Sequence, residues 1–474
     1  MEASGRRVLP PEEKALAINL DGPPYGTLAE IGGGQEVANR FFRVGAASGT
    51  IVKTISAYDM TFSDSIYGPT RQYVSRGRLK TMLDHEFSLL VERLDSTLGE
   101  RSTFFAFGNT VRVRAYGDTH QECHGWMGVQ FQIAPRSPAH DVLVHVRLFD
   151  DALTEQQDAL GLIGLNLIYA ALYLRDDLRS FTESLRDNVK PSRAEIDFLK
   201  FHGPSFAGLD NRLCALQLVE SGLTPSAFFT ARGEVMQASE AFYKAPLLLL
   251  RGRFDPVTNV HLDMLESAGS AMRTELADGG EGSFVEIMEL SMNNLLETEG
   301  SGGSTVTPQI FLHRADMLQA LGKNVLVSRY AEFHRLGAFL SRYTQKPVGI
   351  VLSVSLLAEL FEEKWYANLE GGLLESFGRL FKNAVRLYVY PELHPGTGQL
   401  RSAAEVEVAP HLRKLFEYLL ENRFIVPLLA CHEEGLQFSG PDIRAMIAKG
   451  DPRWTQLVPA EVVQAMTAAQ CALV

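Results

Sequence analysis

At 474 residues, 46% hydrophobic and 22% charged, the chain has the composition of an ordinary globular protein and the length of two or three domains. Its longest apolar run, Ala245 to Leu250, falls far short of the roughly 20 residues that span a bilayer, which argues against a membrane protein. A net charge of -12 argues against general affinity for nucleic acid, whose phosphates need a basic surface.

Residues 1–30 carry Pro10-Pro11 and Gly22-Pro23-Pro24 and read as an arm or loop. Arg6 and Arg7 are followed by no uninterrupted apolar segment, so no secretory signal is expected. Cys123, Cys214, Cys431 and Cys471 lack paired spacing, the pattern of reduced, buried thiols. The expectation is a cytoplasmic protein acting on a small molecule, with no membrane or nucleic-acid partner. Homo-oligomer formation stays open.

From Ile31 the composition is globular. The runs Gly32-Gly33-Gly34 and Gly45-Ala46-Ala47-Ser48-Gly49 invite comparison with a phosphate loop. Lys53-Thr54, however, comes four residues after Gly49, where a Walker A loop needs Lys directly after its last Gly, so small residues for close packing are the better reading. The periodicity predicts a helix over 75–94, strands over 103–114 and 141–149, and a buried helix over 155–174. His120-Gln121-Glu122-Cys123-His124 has the residue types of a metal cluster, but no second cluster at zinc spacing accompanies it, and loop and strand roles fit better. Ile196 to Leu199 reads as a strand, and Leu209 to Glu220 as a helix closed by Gly222. Such alternation predicts an α/β fold with mainly parallel pairing.

The sharpest feature is Leu247 to Ala268. Leu247-Leu248-Leu249-Leu250 is a short buried strand, Gly252, Pro256 and Asn259 break regular structure, and Val260, Leu262, Met264, Leu265 and Ala268 follow at helical spacing. A strand passing through a tight turn into a helix places free backbone N–H groups and the positive end of the helix dipole at the turn, where phosphate binds. Further strands are expected over 284–290, 309–312, 324–327, 348–352 and 386–390, with helices between them and Glu299 to Ser304 as a flexible connector. The C-terminal α/β part is expected to be a doubly wound, mainly parallel sheet of Rossmann-like type, binding ligands beyond the carboxyl ends of its strands. The domains expected are an arm (1–30), an α/β domain of unknown role (31–240), a second α/β domain (241–400) and a helical extension (401–474).

Gly252, Phe254, Asp255, Pro256, Thr258 and His261 stand as in the G-x-F-D-P-x-T/H-x-G-H signature, and the segment resembles the nucleotidylyltransferase superfamily, above all phosphopantetheine adenylyltransferase and more distantly the nicotinate and nicotinamide mononucleotide enzymes. Val260 replaces the signature's second glycine, and Arg253 a small or hydroxylated residue. The resemblance implies transfer of an adenylyl group from ATP, with Mg²⁺, to a small phosphorylated acceptor. In that scheme Thr258 and His261 contact the transferring phosphate, with Gly252, Arg253 and Phe254 around the nucleotide. Leu352-Ser353-Val354-Ser355-Leu356-Leu357 resembles the second signature, which makes Ser353 and Ser355 candidate ATP ligands, and Arg329 is a further candidate phosphate ligand at the same sheet edge. Each has an alternative: His261 as a half-buried helix residue, Thr258 and the serines as helix caps, Arg329 as a surface ion-pair residue. A catalytically degenerate nucleotide- or protein-binding module is the alternative for the whole, and Val260 is the residue that favours it.

A broader resemblance runs from about residue 30 onward. It is carried by Ile51 to Met60, Leu209 to Leu213, Phe333 to Leu336 with Arg342-Tyr343-Thr344, and Glu375 to Phe381. These are similar to an uncharacterised, mostly bacterial family whose members bear labels such as TonB-dependent receptor or nicotinate-nucleotide adenylyltransferase. The receptor label implies a barrel of many alternating strands after a signal peptide. The sequence has the pattern of neither, and that label is set aside.

Overall fold

The computed structural model describes residues 6–117, 122–277, 282–298, 305–394, 396–429 and 433–472. The chain divides into two compact units, Met1–Ala227 and Phe228–Val474.

In the first unit six strands, β1 (Pro24–Ile31), β2 (Ile51–Ile55), β3 (Thr103–Arg112), β4 (Cys123–Gln132), β5 (Ala139–Leu148) and β6 (Ala194–His202), form one sheet in the order β2-β1-β3-β4-β5-β6. β1 runs parallel to β2 and β3, whereas β3 to β6 pair antiparallel. The expected parallel pairing thus fails in this unit, because the links from β3 to β4 and from β4 to β5 are too short for a crossover helix. The expected N-terminal arm is also corrected. Pro11–Leu20 is a helix, and β1 lies inside the sheet with most of its residues buried. The apolar helix Leu153–Tyr173 is buried along most of its length, as its composition demands. Gly164 permits this, since a Cβ there would lie 2.4 Å from Val37. Helix Arg76–Leu98 starts where Ser75 Oγ accepts the Arg78 N–H, and it packs on β3 and β4.

Strand β7 (Ser226–Phe229) straddles the division, and the second unit holds β8 (Val235–Met236), β9 (Leu247–Arg251), β10 (Val285–Ser291), β11 (Asn324–Ser328), β12 (Val348–Ser353), β13 (Val385–Tyr390), the small pair β14 (Glu392–Leu393) and β15 (Leu400–Arg401), and β16 (Ile425–Pro427). The large sheet runs β16-β13-β12-β9-β10-β11-β7-β8. β9 is parallel to β10 and β12, and the pairs β10–β11, β12–β13 and β13–β16 are parallel as well. Counted from β9, the order β11-β10-β9-β12-β13-β16 is 3-2-1-4-5-6, that of a doubly wound sheet. Helix Asn259–Ala277 packs against β9, β12 and β13, while helices Phe333–Tyr343, Gly372–Phe381 and Arg413–Glu421 share a core with Leu247, Leu249, Ile350 and Leu387. Strands covered on both faces have no polar side to alternate, hence runs such as Leu247–Leu250.

Three expectations differ here. The second unit begins at Phe228, not at residue 241. Residues 309–312 belong to helix Pro308–Ala320, not to a strand: Phe311, Arg314, Ala315 and Leu318 are buried at helical spacing, and Pro308 stands in the first turn. The 401–474 segment is no separate helical extension, because β16 pairs with β13 in the large sheet. The 299–304 connector lies outside the described residues, as do His120, Gln121 and Cys431. Cys123 and Cys214 are buried. Among the described residues no helix is long and apolar enough to cross a membrane.

Candidate functional site

In a doubly wound sheet ligands bind beyond the carboxyl ends of the strands, where the strand order reverses. Here the reversal lies between β9 and β12, and Leu250 pairs with Val351. The segment beginning at Gly252 and the serines Ser353 and Ser355 therefore leave the sheet at the ends of adjacent strands.

A buried ion pair ties this edge together. The Arg251 guanidinium donates to both carboxylate oxygens of Glu289, at 2.8 and 2.9 Å, and Ser328 Oγ donates to the same carboxylate. Arg251 also donates to the carbonyls of Tyr330 and Ala331 and lies 4.4 Å from the Phe333 ring centre. Since Glu289 is wholly buried, its charge depends on these donors. Sequence reasoning missed this network. The signal was a carboxylate in the apolar strand Phe284 to Leu290.

The loop after β9 is built around Phe254, which is buried at φ 48° with its ring edge-on to His261 at 5.2 Å. Gly252 makes room for it, as a Cβ there would stand 2.5 Å from the ring. The Asp255–Pro256 peptide is cis. Asp255 accepts from Arg444 at 2.6 Å and lies 3.5 Å from the Arg314 guanidinium.

Thr258 and His261 are joined. The Thr258 backbone N–H donates to His261 Nδ1 at 3.0 Å, and its hydroxyl lies 2.8 Å from the same nitrogen. A backbone amide can only donate, so Nδ1 carries no proton and Nε2 carries the N–H. Close packing around the half-buried ring lowers its pKa to about 4, which keeps it neutral at physiological pH. His261 is thus a neutral donor at the first turn of helix Asn259–Ala277, and Thr258 positions it while also accepting the His261 N–H at 3.4 Å.

The other candidates are placed differently. Ser353 Oγ accepts from Leu356 N at 3.3 Å and caps helix Val354–Leu360. Ser355 N and Oγ both donate to the Glu392 carboxylate, so an acid stands where the serines were expected to meet phosphate. Arg253 is exposed and pairs with Glu297 on the helix after β10. Arg329 is exposed just beyond β11, two strands from β9 in the sheet.

Beside the loop a cavity of about 380 Å³ is lined by Asn259, Val260, Asp263, Glu266, Gly435 and Gln456 among others. Asn259 Nδ2 donates to the Gln456 carbonyl at 2.9 Å, and a Cβ on Gly435 would lie 3.0 Å from Val260 Cγ2. The C-terminal segment thereby supplies one wall. Asp263 is buried and accepts the Tyr390 hydroxyl. Neither residue was read as functional from sequence, although an aspartate among Val260, Met264 and Leu265 was a usable signal.

No protein-family model matches the chain, and no curated protein matches it. Among solved structures, 35% of the chain aligns with 98% of the competence/damage inducible protein CihA from Agrobacterium tumefaciens, at 18% identity and a TM-score of 0.26. A competence-damaged protein (CinA) superfamily protein from Enterobacter cloacae aligns over 36% of the chain and 97% of its own, at 11% identity and a TM-score of 0.27. Likenesses of this size carry no argument about the site.

Proposed function

We propose that the second unit binds Mg·ATP at the β9/β12 reversal and transfers its adenylyl group to a small phosphorylated acceptor, of the nicotinate or nicotinamide mononucleotide or phosphopantetheine class, releasing pyrophosphate. The observation that carries this reading is the neutral His261, fixed by Thr258 with its Nε2–H as donor at the helix start. In-line phosphoryl chemistry asks mainly for positioning and for donors aimed at the developing charge. His261 supplies one, and the helix N-terminus adds its dipole. Mg²⁺ would enter with the triphosphate. It fits an otherwise acidic wall, since Asp263 and Glu266 offer oxygen donors that would repel bare phosphate.

A second reading is a relic site that binds a nucleotide or a protein without turnover. Two observations favour it: Glu392 occupies the amide and hydroxyl of Ser355, and Val260 stands against Gly435 where the signature has glycine. Titration calorimetry with Mg·ATP separates both readings from a purely structural loop. Binding weakened by His261→Ala supports a nucleotide site, and absence of heat with folded wild-type protein overturns it.

A further inference from the structure

The first unit holds a chain of hydrogen bonds between three side chains on neighbouring strands. His145 of β5 places Nδ1 2.7 Å from Asp197 Oδ1 on β6, and its Nε2 lies 2.9 Å from His124 Nδ1 on β4. The pairing of β5 with β6 shifts register between His145 and Val146, so Asp197 is the extra residue of a bulge. Bulges re-aim side chains, and this one brings the carboxylate to His145. His145 is buried, with Trp126 packed at 5.0 Å from its ring and Phe198 behind Trp126 at the same spacing.

The carboxylate fixes the direction of the chain. Ionised Asp197 only accepts, so His145 Nδ1 carries the proton and its Nε2 accepts from the Nδ1–H of His124. His124 Nε2 is left with its lone pair on a half-buried ring. Burial and the neighbouring His145 lower the His124 pKa to about 4, so that lone pair is open at neutral pH. The groups around His124 are Glu122, Arg112, Arg147, His145 and Asp197, and Arg76 of helix Arg76–Leu98 covers Phe198. Arg112 and Arg147 stand opposite His124 in register and share its face of the sheet. Arg147 pairs with Glu122. Arg112 is exposed and makes no ion pair among the described residues, which leaves a cation beside the open nitrogen.

We propose that His124, backed by His145 and Asp197, is the general base of a second active site that hydrolyses small anionic esters bound through Arg112. His124 Nε2 takes a proton from water as the water oxygen attacks the acyl carbon or phosphorus. The Nδ1 proton of His124 passes to His145 Nε2, whose positive charge then lies beside Asp197. As the ester bond breaks, the leaving alkoxide takes the proton on His124 Nε2, and the proton on His145 Nε2 returns to His124 Nδ1. Water is thus added across the ester, with no redox partner.

The test uses the full chain with 4-nitrophenyl phosphate, 4-nitrophenyl hemisuccinate and the uncharged 4-nitrophenyl acetate. We expect hydrolysis of at least one anionic ester, about 100-fold slower in His124→Ala, the size of a general-base effect, and unaffected by His261→Ala. Which ester turns over assigns acyl or phosphoryl chemistry. Arg112→Ala, at an exposed position, should raise KM for the anionic ester and leave the acetate unchanged. Asp197→Asn should lower kcat at constant KM and move the acid limb of the pH profile to lower pH, since the carboxylate no longer supports a charged His145. Hydrolysis of both anionic esters no faster than in folded His124→Ala, or a rate indifferent to that substitution, would overturn the proposal.

Discussion

The backbone N–H of Thr258 donates to Nδ1 of His261 at 3.0 Å, and this bond decides what the histidine can do. It selects the Nε2–H tautomer, and low pKa keeps the ring neutral. Nitrogen-15 NMR of the imidazoles should show a neutral Nε2–H ring for His261 from pH 8 down to about pH 5. Thr258→Val removes the hydroxyl but keeps the amide, so the tautomer should persist. A ring that titrates near its ordinary value of about 6.5 would refute this assignment.

Acid should weaken the fold through the same residue. His261 titrates near 4 when folded and near 6.5 when unfolded. Below about pH 6.5 the unfolded chain takes up a proton that the folded chain refuses, so the His261 contribution is complete above that pH and is lost as pH falls toward 4. His261→Gln abolishes this linkage. In urea unfolding followed in the second unit, the stability of the variant relative to wild type should therefore rise between pH 7 and pH 5. A constant difference would contradict the depressed pKa.

Arg251→Ala should be severely destabilising. It strips Glu289, which is wholly buried, of a bidentate partner, and breaking such a pair costs about 3–5 kcal/mol. Urea midpoints check this. Replacing both partners, Arg251→Met with Glu289→Leu, should recover much of the loss, because an apolar pair leaves no orphaned charge.

Much of the second unit was legible in sequence. Leu247–Leu250 and Val348–Leu352 had the continuous apolar pattern of strands covered on both faces, and the break at Gly252 marked the turn into helix Asn259–Ala277. Pattern alone could not show that residues 309–312 begin a helix, since four residues satisfy both periods, nor that β16 joins the sheet from a segment of mostly helical composition. The bond of Thr258 to His261 follows from helical spacing. The capture of Ser355 by Glu392, 37 residues later, depends on a tertiary contact that local sequence does not encode. For the same reason the link of Asp197, His145 and His124 was invisible: it spans three strands and needs a bulge.

Val260 tests whether the cavity is shaped against ATP. Its side chain faces Gly435 beside the loop. Val260→Gly should tighten Mg·ATP binding by about tenfold, roughly 1.4 kcal/mol, while costing up to about 1 kcal/mol of stability in the helix. Calorimetry and a melting curve read both. Weaker binding would show a site adapted to valine.

The most direct measurement is pyrophosphate release from Mg·ATP, with nicotinate mononucleotide, nicotinamide mononucleotide and phosphopantetheine offered separately to wild type and His261→Ala. The proposed function predicts turnover with one acceptor and its loss in the variant, with His124→Ala as an unaffected control. No release with any acceptor from folded wild-type protein, or release unchanged by His261→Ala, would contradict it.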